Sequence, residues 1–234
     1  MTNDKVLEIR NLTKKYKDKV VFSEINLDFY RKKIDALVGN NGAGKSTLMK
    51  CICGIEKPNG GDIVFADKTT RVGTLIEAPG LITDMTAYQN IKAKCLCLGI
   101  KVTKQDINDL LALVGLEGVG KKLTRKFSMG MKQRLGIALA LVGNPDVLIL
   151  DEPTNSLDIQ GIEAVREIIV KLHETTNMAI IVSSHNIVEL KKFCTDYVVL
   201  HNGKIVKACT AEEFEAERGN LEVDEHYIRL VSAL

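Results

Sequence analysis

One glycine-rich stretch of the sequence has the residue types and the spacing needed to hold phosphate groups. Glycines let the backbone curl around an anion, so that successive N–H groups and a helix N-terminus point at phosphate oxygens. Lys45 would supply a positive charge to the phosphates, and Ser46 a hydroxyl ligand for Mg²⁺. We therefore predict a nucleotide-binding phosphate loop. It matches the pattern G-x-x-x-x-G-K-[ST], and its residues are Gly39, Asn40, Asn41, Gly42, Ala43, Gly44, Lys45, Ser46 and Thr47.

A carboxylate pair, Asp151-Glu152, directly follows a second apolar run at Val147–Leu150. At the end of a neighbouring strand, Asp151 would hold Mg²⁺ through its water shell. Glu152 would act as a general base toward an attacking water. A strand that ends in Asp-Glu is common by itself and is often only structural. Together with the phosphate loop, the pair predicts a nucleoside triphosphatase.

The elements that must position these residues alternate between strand and helix patterns. A helix is predicted at Ser46–Ile55, helical periodicity extends over Thr86–Leu141, and an amphipathic helix follows among later strands. Asn202-Gly203 predicts a two-residue hairpin, and Thr103–Asp106 an approximate capping box. This order indicates one α/β core with an inserted helical lobe. The predicted strands are Val6–Ile9, Val20–Phe29, Ile34–Val38, Asp62–Phe65, Arg71–Ile76, Val147–Leu150, Ala179–Ser183 and Tyr197–Leu200.

Composition and charge are those of an ordinary globular chain. The 234 residues are 45% hydrophobic and 26% charged with a net charge of +2, which excludes wholesale disorder and argues against a general nucleic-acid binder. The longest weakly polar run, Leu135–Gly143, is far shorter than the ~20 residues of a membrane span. No apolar signal core follows Met1–Lys5, so we expect a cytosolic chain.

The six cysteines, whose close pairs have Cys-x-Cys spacing, are expected to be buried free thiols.

The order of the motifs resembles the nucleotide-binding subunit of ABC transporters over essentially the whole chain. Six motifs in this order and spacing make the resemblance specific. Besides the phosphate loop and the Asp151-Glu152 strand, they are Tyr16 at the place of an aromatic residue that stacks on adenine, Phe127–Arg134 at the family signature, Ser156–Asp158 at the D-loop, and Ser183–Asn186 with the switch histidine, His185.

The resemblance implies the fold class and its division. We expect an α/β fold with a P-loop NTPase core of the RecA-like type, which is mainly a parallel sheet. An N-terminal antiparallel β subdomain and an inserted helical subdomain are expected beside it. The whole chain, 1–234, would form a single ABC ATPase domain. Its predicted parts are the nucleotide-binding core with its β subdomain at 1–78 and 146–206, the helical signature subdomain at 79–145, and a C-terminal tail at 207–234.

The resemblance also implies the chemistry and the partners. Two such domains sandwich two ATP molecules head to tail, so Ser128 and the N–H of Gly130 would cap the γ-phosphate held by the opposite subunit. Glu152, Asp158 and His185 would be catalytic, with His185 sensing the γ-phosphate and orienting the water. The expected cofactors are ATP and Mg²⁺. The expected partners are a second ATP-binding subunit, as a homodimer on ATP binding, and an integral-membrane permease that holds the chain at the inner face of the cell membrane; no nucleic acid is expected.

Two positions depart from the family pattern. The signature reads Ser128–Met131 as Ser-Met-Gly-Met where Ser-Gly-Gly-Gln is usual, which keeps the phosphate donors and loses one polar contact. Glu77 stands where a glutamine usually touches Mg²⁺ and the membrane partner, so the expected metal ligands are Ser46, Glu77 and Asp151. The permease is expected to dock near Glu77–Leu98. Both departures resemble the bacitracin and lantibiotic export or self-protection branch; an exporter of another substrate that shares them is the alternative.

Other functions compete with this interpretation. The main alternative is a soluble ABC ATPase that acts on nucleic acid or ribosomes, although such relatives generally carry two cassettes or a long coiled-coil insertion. A third hypothesis is a regulator that binds nucleotide but hardly hydrolyses it. The presence of Glu152, Asp158 and His185 argues against this hypothesis. GTPases are disfavoured because no Asn-Lys-x-Asp motif occurs. The basic run Lys121–Arg134 would lie beside the triphosphate of the opposite subunit or form a solvated face, and the acidic stretch Glu212–Glu225 has no assigned role.

Overall fold

Two β-sheets and their flanking helices make up the fold in the computed structural model, which describes residues 4–232. The outermost residues of the predicted ranges 1–78 and 207–234 lie outside this part of the chain. The strands are β1 (Lys5–Tyr16), β2 (Lys19–Tyr30), β3 (Ile34–Val38), β4 (Gly60–Phe65), β5 (Val72–Leu75), β6 (Val147–Asp151), β7 (Ala179–Ser184), β8 (Asp196–His201) and β9 (Lys204–Thr210). The helices are α1 (Lys45–Ile52), α2 (Ala87–Cys97), α3 (Lys104–Leu113), α4 (Met129–Leu141), α5 (Ile159–Thr175), α6 (Ile187–Leu190), α7 (Ala211–Arg218) and α8 (Val223–Ser232), with 3₁₀ turns at Glu117–Val119 and Thr124–Lys126.

The larger sheet brings the predicted site residues to one edge. Its strand order is β5-β6-β7-β3-β8-β9, with the first five strands parallel and β9 antiparallel to β8. Strands β3, β6 and β7 are buried along their whole length because a hydrophobic core lies on each face of the sheet. The predicted mainly parallel sheet is confirmed. Since the carboxyl ends of parallel strands meet at one edge, Asp151 lies directly opposite Ser183.

The N-terminal strands form the predicted antiparallel β subdomain. Its order is β2-β1-β4, and it covers the core on one face of the larger sheet. Strand β1 continues well beyond the predicted Val6–Ile9. The prediction ends too early because a bulge interrupts the alternation of apolar and polar residues. Asn11 has a φ of 47° at this bulge, and its N–H donates to Oδ1 of Asn26 at 2.8 Å. The bulge lets one strand carry the chain as far as Tyr16.

The inserted helices lie between β5 and β6, as predicted. The capping box at Thr103–Asp106 is confirmed, and a second one at Thr86–Gln89 starts α2. Helix α1 is shorter than predicted and ends at Ile52. Gly54, with a φ of 70°, turns the chain there. The inserted helices α2, α3 and α4 pack on the core of the sheet face opposite the β subdomain, whereas α1 packs in the core on the same face as the β subdomain.

The end of the chain folds back onto the larger sheet. Strands β8 and β9 form the hairpin predicted at Asn202-Gly203. Phe214 of α7 lies between Tyr197 of β8 and His226 of α8, with ring centroids 4.7 Å apart on each side. Helix α8 thereby packs against α6 and β9.

The six cysteines are free thiols, and three of them, Cys51, Cys95 and Cys194, are buried as predicted. Cys53 and Cys209 are half-buried, and Cys97 is exposed, so the prediction of buried thiols is wrong for Cys97. Residues two positions apart on a helix point in different directions, and Cys97 therefore leaves the core that contains Cys95. Within residues 4–232, none of the helices is both long and apolar enough to cross a membrane.

Candidate nucleotide-binding site

The phosphate loop joins the end of β3 to the start of α1. Gly42 and Gly44 have φ values of 84° and 108°, a region that only glycine enters without strain. Gly39 is required for a different reason, because a Cβ there would lie 2.3 Å from the carbonyl oxygen of Leu200. No side chain of the described residues caps α1, so its first N–H groups remain available to an anion.

Lys45 is buried beneath the phosphate loop, and its ammonium group contacts both the loop backbone and Glu152. Its Nζ donates to the carbonyl oxygen of Gly39 at 2.6 Å and lies 3.3 Å from Oε1 of Glu152. The side chains of Lys45 and Glu152 are 6% and 19% exposed. At this depth the attraction between the two charges is stronger than on the surface. An anion that enters the loop would compete with Glu152 for Lys45.

The carboxylate pair at the end of β6 is held by the neighbouring strand. Oγ of Ser183 donates to Oδ1 of Asp151 at 2.5 Å and accepts from the N–H of Glu152 at 2.9 Å. Glu152 has a φ of 48°, an uncommon conformation for a residue with a side chain. Its backbone strain is offset by these contacts, and the turn directs the Glu152 carboxylate toward the phosphate loop.

His185 completes the cluster from the end of β7. Its Nδ1 lies 3.0 Å from Oε2 of Glu152, while Lys45 contacts the other carboxylate oxygen. His185 is about half exposed, so its free face is open to solvent. The structure thus brings Lys45, Glu152 and His185, which are far apart in the sequence, into one connected group.

A cavity of about 640 Å³ lies over the phosphate loop. Tyr16 stands at its wall, 44% exposed, with Nζ of Lys14 4.6 Å from the ring centroid. The hydrogen bond to Glu56 raises the pKa of Lys14, which keeps its positive charge beside the ring. The predicted site residues that line this cavity are Tyr16, Asn41, Gly42, Gly44, Lys45, Ser46, Thr47 and Glu152.

The remaining loop residues support the cavity from behind. The N–H of Ala43 donates to the carbonyl oxygen of Asn40 at 3.1 Å, and Ala43 is buried.

Asn202 and Gly203, at the tip of the β8–β9 hairpin, also line the cavity. In the sequence these two residues predict only a turn, because nothing in the local pattern indicates which site a hairpin tip will reach.

The signature and D-loop residues lie away from this cavity. Ser128 caps α4 by accepting from the N–H of Met131 at 3.3 Å, and Asp158 caps α5 by accepting from the N–H of Gly161 at 2.8 Å. Gly130 lies close to Gly161, so the two helix starts adjoin each other. Within one copy of the chain, Ser128, Gly130 and Asp158 do not line the wall that carries the phosphate loop.

Glu77 is likewise outside the cavity lining. Its Oε1 accepts from Nζ of Lys50 at 2.5 Å, and its side chain is 68% exposed. The hydrogen bond to Glu77 raises the pKa of Lys50. Among the three predicted metal ligands, Ser46 lines the cavity and Asp151 is buried at the sheet edge, whereas Glu77 is engaged by Lys50. The hydroxyl and carboxylate oxygens of Ser46 and Asp151 are of the type that Mg²⁺ prefers.

Two further residues, Ser183 and Tyr227, have roles that the sequence pattern does not predict. The sequence places Ser183 only in the motif around His185, yet its hydroxyl orients Asp151 and the backbone of Glu152. Tyr227 of α8 donates its phenolic O–H to Oδ1 of Asn40 in the phosphate loop, at 3.4 Å. For Ser183 the sequence does have a signal, because a polar residue at the end of a buried strand indicates a position at the site. For Tyr227 the sequence has no signal, because α8 is distant from the loop along the chain.

Comparisons with known proteins agree with this geometry. The family described as ABC transporter matches residues 22–155. The lantibiotic transport ATP-binding protein SrtF of Streptococcus pyogenes is 39% identical over 207 residues, which cover 86% of this chain and 89% of that protein. The bacitracin transport ATP-binding protein BcrA of Bacillus licheniformis is 36% identical over 211 residues, with 86% and 69% covered.

Solved structures with the same fold extend over nearly the whole chain. An ATP-binding subunit of an ABC transporter superposes with a TM-score of 0.83 and 28% identity, covering 96% of this chain and 99% of the other. The cbiO1 protein of Clostridium perfringens, part of the ABC transporter complex cbiONQ, superposes with a TM-score of 0.80 and 28% identity, covering 98% and 95%.

Proposed function

The chain belongs to the ABC transporter family as an ATP-binding subunit with ATPase activity, and from this premise we propose that two copies bind two ATP molecules head to tail and drive a membrane permease. The observation that carries this proposal is the cluster of Lys45, Glu152 and His185 beside the phosphate loop. It joins a phosphate-binding charge, a carboxylate and an imidazole in one connected group beside the phosphate loop. This is the set of groups that hydrolysis of a phosphoanhydride requires.

The proposed roles follow from the charges in the cluster. In this structure Lys45 pairs with Glu152. When ATP binds, Lys45 would pair with the triphosphate instead, which leaves the Glu152 carboxylate free to accept a proton from the attacking water. His185 orients this water and contacts the γ-phosphate. Ser46 and Asp151 would hold Mg²⁺, which neutralises charge on the phosphate oxygens. Glu77 joins as a third ligand only after it leaves Lys50. The adenine ring stacks on Tyr16.

The second copy supplies the other half of each site in this proposal. Ser128 and Gly130 stand at the N-terminus of α4, where N–H groups and the helix dipole favour an anion. Asp158 stands at the start of α5 beside them. Exposed apolar side chains border this surface, with Met129 54% and Ile159 85% exposed. A surface of this kind supports contact with another protein.

We further propose a permease site and a substrate class. A cleft of about 470 Å³ lies between the end of β5 and helices α2 and α4. Among its lining residues Ile55, Ile82 and Leu98 are largely exposed, which suits the apolar face of a permease helix. The chain would then be held at the cytoplasmic face of the membrane. The relatives named for lantibiotic and bacitracin transport support an antibiotic peptide as the substrate.

The substitution Glu152→Gln tests the proposed mechanism. An amide keeps the shape of the side chain but cannot accept the proton, so we expect ATP hydrolysis to fall by roughly two to four orders of magnitude. The variant should also accumulate as an ATP-bound dimer, measured by size-exclusion chromatography with light scattering. Glu174→Gln, at an exposed position near the end of α5, is the matched control. Hydrolysis at the parental rate by Glu152→Gln would refute the role of Glu152 as the base.

The alternative of an ATPase that acts on nucleic acid or ribosomes has less support. The relatives SrtF and BcrA are both named as transport proteins. No observation on the described residues favours a nucleic-acid surface over the proposed interfaces.

A further inference from the structure

We propose that Tyr227, on helix α8, is a positioning residue for the phosphate loop and acts through Asn40. This inference rests on the proposed function, because it concerns the affinity of the same loop for ATP. It assigns a role to the C-terminal part of the chain, which none of the nucleotide-binding motifs includes.

Helix α8 has a defined place because its inner face is anchored in the core. His226 is 2% exposed and meets the ring of Phe214 edge-on, while Val223 is 7% exposed. Phe214 itself is fully buried against Tyr197 of β8. Two ordered elements, β8 and α7, therefore determine where α8 lies. Tyr227 follows His226 directly and points from this anchored helix toward the phosphate loop.

The contact between Tyr227 and Asn40 reaches the part of the loop that holds Lys45. The phenolic O–H of Tyr227 donates to Oδ1 of Asn40 at 3.4 Å. The carbonyl oxygen of the same Asn40 accepts from the N–H of Ala43 at 3.1 Å and lies 3.4 Å from Nζ of Lys45. Asn40 is thus bound on its side chain by α8 and on its backbone by the loop. Tyr227 restricts the rotation of this residue and favours the loop conformation in which its N–H groups face a phosphate.

Helix α8 also touches the segment that follows the switch histidine. It packs against α6, which begins at Ile187, two residues after His185. The phosphate loop and the histidine segment therefore rest on one common support. Partial burial raises the pKa of Tyr227 and a hydrogen bond from the backbone N–H of Asn40 opposes this shift, so the phenol lies against both the side chain and the backbone of Asn40.

A double-mutant cycle tests the proposed contact. Tyr227→Phe removes only the hydroxyl, and Asn40→Ala removes the acceptor. We expect Tyr227→Phe to raise the Kd for ATP and the KM roughly 2- to 10-fold, the range for one neutral hydrogen bond, with little change in kcat. In the Asn40→Ala background the same substitution should have no further effect. Kd is measured with a fluorescent ATP analogue, and kcat and KM by phosphate release.

Tyr30→Phe is the matched control. Its phenol makes a hydrogen bond of the same length, 3.4 Å, to Asp28, away from the nucleotide cavity. We expect Tyr30→Phe to leave Kd, KM and kcat unchanged. The melting temperatures of both phenylalanine variants should match the parent, which separates positioning from a general loss of stability.

The possible results separate this inference from the proposed function. An unchanged Kd in Tyr227→Phe, while the parent binds and hydrolyses ATP, overturns the role of Tyr227 alone. An equal rise in Kd in the parental and Asn40→Ala backgrounds also overturns it, because the effect would not pass through the side chain of Asn40. A parent chain with no affinity for ATP refutes both proposals.

Discussion

Ser183 stands out at the residue scale because one hydroxyl serves both members of the carboxylate pair. It donates to Asp151 and accepts from the backbone N–H of Glu152, and it is fully buried. Such a group stabilises the left-handed turn at Glu152 and determines which oxygen of Asp151 remains free. An oriented carboxylate binds a metal more tightly than one that must first be ordered.

We expect Ser183→Ala to raise the Mg²⁺ concentration needed for half-maximal ATP hydrolysis by roughly 10-fold, because loss of a hydrogen-bond partner that orients a metal ligand typically weakens metal affinity by about 10- to 100-fold. The measurement is ATPase activity during a Mg²⁺ titration at saturating ATP. Ser184→Ala is the control, since Ser184 is also buried but its Oγ accepts from the N–H of Asn186 instead. Equal Mg²⁺ requirements for the two variants would contradict the role of Ser183.

At the scale of the elements, α8 carries a buried histidine whose ring nitrogens have no hydrogen-bond partner among the described residues. His226 is 2% exposed, and burial lowers its pKa. Glu217 opposes this shift, whereas Arg229, Lys207 and Arg218 add to it. A lowered pKa in the folded state means that the unfolded chain takes up a proton more readily. The contribution of His226 to stability is therefore present above its ordinary pKa and lost as the pH falls below it.

We expect the free energy of unfolding to decrease as the pH falls through about 6.5, the ordinary pKa of histidine. His226→Phe keeps an aromatic ring against Phe214 and removes the titration, so its stability should fall less over the same interval. Urea denaturation between pH 7.5 and 5.5 measures the difference between the two proteins. His201→Gln, at a partly exposed position in the β8–β9 hairpin, is the control and should retain the parental pH dependence. Parallel curves for the parent and His226→Phe would exclude this source of acid sensitivity.

At the scale of the whole molecule, one copy of the chain would contribute two separate half-sites to the proposed dimer. The phosphate loop, Glu152 and His185 form one, whereas Ser128 and Gly130 form the other on the inserted helices. A head-to-tail dimer would join the first half-site of each copy to the second half-site of its partner. This arrangement predicts that defects in the two half-sites complement each other.

We expect Lys45→Ala and Ser128→Arg to be inactive alone and to regain activity when mixed. Each mixed dimer would have one site with both defects and one complete site, so an equal mixture should recover roughly a quarter of the parental activity. The ATPase rate of the mixture is compared with the sum of the separate rates. A chain that carries both substitutions, mixed with the parent, is the control, because its mixed dimers contain no complete site. Absence of any gain in the first mixture would refute the head-to-tail arrangement.

Much of the fold was predictable because its signals are local. Buried apolar runs identify the parallel strands, glycine spacing identifies the phosphate loop, and Asn202-Gly203 identifies a hairpin. Where local signals were interrupted, prediction fell short. The bulge at Asn11 concealed the full length of β1, and the turn at Gly54 ended α1 early.

The sequence by itself therefore determined the fold class, the family and the identity of the phosphate loop, since each depends on local residue patterns or on the order of such patterns along the chain. The tertiary structure alone decided the partners of the side chains. It pairs Glu77 with Lys50, places Ser183 on Asp151, and brings Tyr227 to Asn40. The physical reason is that such contacts depend on which strands and helices become neighbours. Adjacency of this kind results from packing two hydrophobic cores against one sheet, and no local spacing of residues encodes it.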